Sequence, residues 1–142
     1  MSAKFFIDTN IFVYTFDNNA PAKKACAIDV VQQAINTGSG VISTQVIQEF
    51  LNVATRKFAV PMKLEDSKMY LQQVLNPLCQ IYPDLELYEA CLEIQDETGY
   101  SFYDSLIISA AIKGECEILY TEDLQTGQMV RGVEISNPFS EL

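Results

Sequence analysis

Short apolar runs alternate with longer stretches of helical rhythm along this chain. Phe5, Phe6 and Ile7 form a continuous apolar run that stops at Asp8. Thr9 and Asn10 then supply helix-starting chemistry ahead of Ile11, Phe12, Val13 and Tyr14, so the opening predicts strand, turn, helix. Residues 20–36 predict a further helix, and the break at Gly38 to Gly40 precedes a short strand, Val41, Ile42 and Ser43. From Thr44 onwards Val46, Ile47, Phe50, Leu51 and Ala54 recur at the spacing of one buried helical face, with Glu49 at its edge.

The rhythm continues to the end. Residues 64–75 predict a helix halted by Asn76 and Pro77, followed by strand-like residues 79–82. Asp84 is placed to cap a helix running to Glu97 and closed by Gly99. Leu106, Ile107, Ile108, Ala110, Ala111 and Ile112 cover most directions around a helix, which predicts an element buried on nearly every side. Ile118, Leu119 and Tyr120 predict a strand, and residues 132–136 a last short one. Strands alternating with helices predict right-handed βαβ units and a central parallel sheet covered on both faces, a three-layer α/β/α sandwich.

With 142 residues, 49% of them apolar and 20% charged, the chain is expected to fold as a single domain over residues 1–142. No run approaches the roughly 20 apolar residues that span a bilayer. An acid arrives at position 8 before a signal-peptide apolar region develops. A cytoplasmic, unprocessed protein is therefore expected. Cys26, Cys79, Cys91 and Cys116 form no CxxC pair, and read as buried small hydrophobes.

The chain has no histidine. That removes Ser-His-Asp and Cys-His catalysis and any imidazole acid or base, so carboxylates or metals must carry whatever chemistry there is. The formal charge of −10 argues against a broad basic nucleic-acid clamp. Bound cations reverse local charge, however, and Arg56, Lys57, Lys63 and Lys68 are close in sequence. Glu86, Glu89, Glu93, Asp96 and Glu97 read as a solvated helix face.

Four acids stand apart: Asp8 after the first strand, Glu49 on the edge of a buried helical face, Asp104 in the first turn of the buried helix, and Asp123 after the strand ending at Tyr120. In open α/β sheets, ligands bind outside the carboxyl ends of the strands. Each acid also has a plainer reading. Asp8 suits a helix cap, Asp104 with Ser101 a capping box, Asp123 a turn, and Glu49 a solvated edge. Arg56 and Lys57 suit a helix C-terminus. Tyr14, Tyr100 and Tyr103 suit either base stacking or core packing.

Taken in order, FIDTNIFVY, STQVIQEFLNV, SFYDSLIISAA and LYTEDLQTG resemble the motifs of PIN domains, and most of all those of the small VapC-type toxins. The C-terminal GVEISNPF also resembles the closing strand of one bacterial branch. The resemblance spans nearly the whole chain. It implies a PIN-like α/β/α fold and a Mg2+- or Mn2+-dependent endoribonuclease that leaves 5′-phosphate and 3′-hydroxyl ends. It further implies Asp8, Glu49, Asp104 and Asp123 as metal-holding catalytic residues, with Asn10 and Thr121 supporting them. Asp123 is preferred to Glu122, which is expected to point the other way. Arg56, Lys57 and Arg131 are candidate contacts to RNA phosphates. The resemblance also implies the toxin of a type II toxin-antitoxin pair, a cognate antitoxin that covers the site, and a homodimer. Two other classes stay open. One is a catalytically silent PIN domain that binds RNA or protein; the other is an acid-pocket phosphotransfer domain with Asp8 as nucleophile, though DTN lacks that pattern's second aspartate.

Overall fold

The computed structural model describes residues 3–142. Five strands run parallel and a sixth antiparallel in one sheet. In chain order they are β1 (Phe5–Ile7), β2 (Gly40–Ser43), β3 (Cys79–Ile81), β4 (Ile118–Tyr120), β5 (Met129–Val130) and β6 (Val133–Ser136). Across the sheet the order is β3-β2-β1-β4-β6-β5. The chain thus steps outwards from β1 to β3, returns to place β4 beside β1, and continues on the other side. The β1/β4 boundary is the switch point, where a crevice opens at the strand ends.

The outward steps carry α1 (Thr9–Tyr14), α2 (Pro21–Thr37), α3 (Thr44–Arg56) and α4 (Leu64–Tyr70), and the return carries α6 (Leu85–Thr98) and α7 (Phe102–Lys113). With right-handed crossovers the two sets cover opposite faces, which gives the three layers. On one side α2 comes so close to β2 that a Cβ on Gly40 would sit 2.2 Å from the Ala34 Cβ. On the other, α7 is the element buried nearly all round, with Ser105 to Ala111 excluded from solvent. Phe50 of α3 stacks on Tyr70 of α4 at 4.8 Å and meets Phe12 of α1 edge-on at 6.3 Å. These rings fix α3 against α1 and so fix where Glu49 lies.

One sequence expectation is corrected. Asn76 and Pro77 do not halt the helix that begins at Leu64. The chain passes through a π-helical turn, Leu71–Leu75, into one further turn, α5 (Asn76–Leu78). The Asn76 N–H donates to Leu71 O, five residues back. That wider turn moves the preceding carbonyls away from the Pro77 ring, which in a regular helix would clash with them. No sequence expectation covers β5, which is too short to announce itself by alternation. It pairs with β6 through a tight hairpin in which Arg131 (φ 47°) and Gly132 (φ 87°) take left-handed backbone. Among the described residues no helix is long and apolar enough to cross a membrane.

Candidate active site

Where β1 ends, the apolar run gives way to Asp8, only 7% exposed. Its backbone N–H donates to Tyr120 O at the end of β4, 3.0 Å away, so the two strand ends are stitched together. One side-chain oxygen accepts from the Thr9 N–H at 2.7 Å and the other from the Thr121 hydroxyl at 2.8 Å. Burial drives this carboxyl up to about 7, against the lowering effect of those two donors. Glu49 and Asp123 add to the rise through like charge.

Each of the other acids is held by a different element. Glu49 accepts from the Thr9 hydroxyl at 2.6 Å and from Gln45 Nε2, one turn earlier on α3, at 3.2 Å. Asp123, on the loop after β4, accepts from Asn10 Nδ2 at 2.8 Å. Its own N–H donates to the Thr121 hydroxyl at 3.2 Å. Thr121 is completely buried, and its oxygen is fixed in both directions, donating to Asp8 and accepting from Asp123. Asp104 sits in the first turn of α7, where its N–H donates to Ser101 Oγ. The capping reading of that pair is therefore half fulfilled, while the Asp104 carboxylate lines the same cavity as the other three acids.

That cavity, of about 510 Å3, lies at the switch point. Asp8, Asp17, Glu49, Asp104, Glu122 and Asp123 are among its described lining residues, which include no lysine or arginine. The donors to Asp8, Glu49 and Asp123 are hydroxyls, amides and backbone N–H groups, so these carboxyls are oriented by neutral groups rather than by cations. Glu122 is the exception. It accepts from the Tyr14 hydroxyl at 2.6 Å and pairs with Lys23. Burial pushes its carboxyl up, but Lys23 and Tyr14 outweigh this and hold it below the usual range. Glu122 thus lines the cavity with its carboxylate already spent on Lys23 and Tyr14.

The donor set is wholly oxygen, the chemistry that suits hard divalent cations. Asn10 Oδ1 is buried without a hydrogen-bond partner, a further oxygen beside Asp123. Among the described residues no three acidic or thiol side chains converge as a ready-made cage. Mg2+ does not need one, because it binds through one or two carboxylates and keeps several waters. The residues present therefore fit such an ion.

The candidate cations lie elsewhere. Arg131, on the β5–β6 hairpin, is paired with Glu97 and Glu93 of α6. Lys57 lines a neighbouring groove that shares Val13, Asp17 and Val53 with the acidic cavity, and Arg56 lines neither. Tyr100 ties Gln128 and the Gln125 N–H together, a structural use of its hydroxyl. Tyr103 stands 65% exposed at the cavity rim. The sequence reading missed Gln45 and Lys23. Gln45 was discoverable, being four residues before Glu49 on one helix face. Lys23 was not, because 99 residues separate it from Glu122.

The fold is similar to that of solved structures of stated function. A chain of a toxin-antitoxin complex from Klebsiella pneumoniae superposes with a TM-score of 0.67 at 18% identity, covering 97% of this chain and 98% of that one. DNA-bound VapBC from Salmonella typhimurium gives 0.66 at 20% identity, covering 96% and 99%. VapC20 from Mycobacterium tuberculosis, a sarcin-ricin loop cleaving toxin, gives 0.56 at 18% identity, covering 84% and 90%. A comparison with curated proteins finds no significant match. The sequence itself matches the PIN domain family over residues 5–129, a span that takes in all four acids from Asp8 to Asp123, and the chain belongs to that family.

Proposed function

We propose that this protein is a Mg2+- or Mn2+-dependent endoribonuclease and the toxin of a toxin-antitoxin pair. The observation that carries this reading is the cavity at the β1/β4 switch point, which four acids from four separate segments line with no cationic side chain among the described lining. Asp8, Glu49, Asp104 and Asp123 would hold the ion, and Asn10 and Thr121 would keep Asp123 and Asp8 in register with it, as outer hydrogen bonds do in metal sites. When bound, the ion supplies the positive charge the pocket lacks, acidifies a water and stabilises charge building on the phosphate. The protein's own part is to orient. Thr121 and Thr9 fix both oxygens of Asp8, which favours a holding role over that of a nucleophile.

The RNA substrate is supported by the likeness to a toxin that cleaves the sarcin-ricin loop. An antitoxin partner is supported by the likeness to chains solved as toxin-antitoxin complexes. An acidic cavity suits a basic segment of such a partner, which would compete with the cation for Asp8 and its neighbours. A second copy of the chain completes the proposal, in keeping with the family resemblance. One observation favours a silent, binding-only domain instead: among the described residues no three acids converge as a cage. Cleavage of labelled structured and unstructured RNAs with Mn2+, Mg2+ or EDTA separates the two. Metal-dependent cutting, lost in Asp8→Asn and Asp104→Asn with folding intact, is the expected result. Folded protein that cuts nothing with either metal would leave the binding-only domain.

A further inference from the structure

A second cavity, of about 210 Å3, opens beside the carboxylate site, between the start of α3 and the α6–α7 pair. The two cavities share Gln45 and Tyr103. Leu87, Phe102 and Leu106 give it apolar walls. Among these sits Ser43, 3% exposed, whose Oγ has no hydrogen-bond partner among the described residues. Gln45, 8% exposed, spends its Nε2 on Glu49 and Tyr103 O and leaves Oε1 without a partner. Ser43 is also the residue that caps α3, yet its side chain makes no capping bond. The first-turn amides of a 13-residue helix thus lack their usual acceptor.

Buried polar atoms are almost always satisfied. Here a hydroxyl, an amide oxygen and a helix start all await partners around one apolar-walled space, which is the makeup of a site for a small ligand. Among the described residues no lysine or arginine lines the space and six acids line its neighbour, so the occupant is neutral rather than an anion. We propose that the cavity takes one unpaired nucleobase of the RNA strand whose adjoining phosphodiester lies at the carboxylates. Proteins that read single-stranded RNA stack splayed bases on apolar and aromatic surfaces and bond their edges. Phe102 and Leu106 offer the surface; Ser43 Oγ offers a donor and acceptor, and Gln45 Oε1 an acceptor. Because Gln45 also holds Glu49, occupation by a matching base bears directly on one of the four acids. The inference rests on RNA as the substrate.

The test is NMR titration of the full-length chain, without divalent metal, with ApA, CpC, GpG and UpU. Saturable shifts at Ser43, Gln45 and Leu106 are expected, with one base favoured by about tenfold or more over the weakest. Gln48→Trp, which sets an indole across the mouth from an exposed position of α3, should abolish them, and Ser43→Ala should narrow the preference. Shifts confined to the acidic cavity and equal for all four, or no binding of any, overturn the proposal. So does a Gln48→Trp chain that keeps its base preference but loses a co-expressed partner protein. Cutting of a mixed-sequence RNA with Mn2+ is read in parallel. Cutting without base preference removes the base cavity and leaves the nuclease; base-selective binding without cutting does the reverse.

Discussion

Thr121 and Asp8 are 113 residues apart in the chain and 2.8 Å apart in space. The threonine is wholly buried, and its hydroxyl is the one side-chain donor, among the described residues, to an acid that burial otherwise drives towards its neutral form. Replacing Thr121 by valine keeps the volume and removes that donor. Metal affinity, read by calorimetry, is expected to fall by about 10–100-fold, while Thr121→Ser retains most of it. Equal affinity in the valine variant would remove Thr121 from the metal site.

Asp8 also makes the empty protein sensitive to pH. Its carboxyl is raised from 3.8 to about 7, so between those values the folded chain holds more protons than the unfolded one. Stability from this group is full below pH 4 and is lost as pH rises through 7. Asp8→Asn should therefore melt higher than the parent at pH 8 in EDTA, by an amount equivalent to a few kcal/mol at most, and the gap should close by pH 4. A gap that is constant with pH would mean that Asp8 does not titrate in this range.

Cations should act in the opposite direction. Mn2+ or Mg2+ added at pH 8 is expected to raise the melting temperature, since a ligand that binds only the folded state stabilises it by mass action. The rise should shrink at pH 5, where protons compete for Asp8, and vanish in Asp8→Asn. A melting curve indifferent to both metals at pH 8 would argue for a site that takes no ion.

Arg131 supplies the contrasting case. It is spent on Glu97 and Glu93 at the molecular surface, where such pairs contribute about 0–1 kcal/mol. Arg131→Gln should leave RNA cleavage within about twofold of the parent and stability within that same margin. A large loss of cutting with normal RNA-free stability would restore Arg131 as a phosphate contact.

Packing makes one prediction independent of function. A methyl group on Gly40 would press on Ala34 at 2.2 Å, so Gly40→Ala has to push α2 off the sheet. A loss of about 1–3 kcal/mol is expected in urea denaturation. An unchanged midpoint would mean that α2 shifts freely.

The layered fold was legible because several strands are brief apolar runs cut off by a polar residue, as at Phe5, Phe6 and Ile7 before Asp8. Asp8 and Asp123 followed from the same punctuation, whereas Glu49 and Asp104 were placed by their positions on helices. Their supports were only partly visible. Asn10 and Thr121 came with the family motifs, whereas Gln45 needed the helix phase of Glu49, and the Lys23–Glu122 pair depends on how α2 lies over the loop after β4. The π turn at Leu71–Leu75 escaped because a proline normally ends a helix, and only the register of the whole segment shows how it was accommodated. Arg131 seemed available because it follows the Asp123 loop, but a two-residue strand and a hairpin turn carry it to α6.

The joining of β1 to β4 has a consequence for synthesis. Asp8 leaves the ribosome well before its partners, since chains are made from the N-terminus. Its partner Thr121 follows 113 residues later with Asp123 just behind, and the strand that flanks β4 ends at Ser136. A nascent chain therefore carries Asp8 through more than a hundred residues of synthesis oriented by Thr9 alone, and the four-acid pocket is assembled only after β4 and the loop behind it have been made.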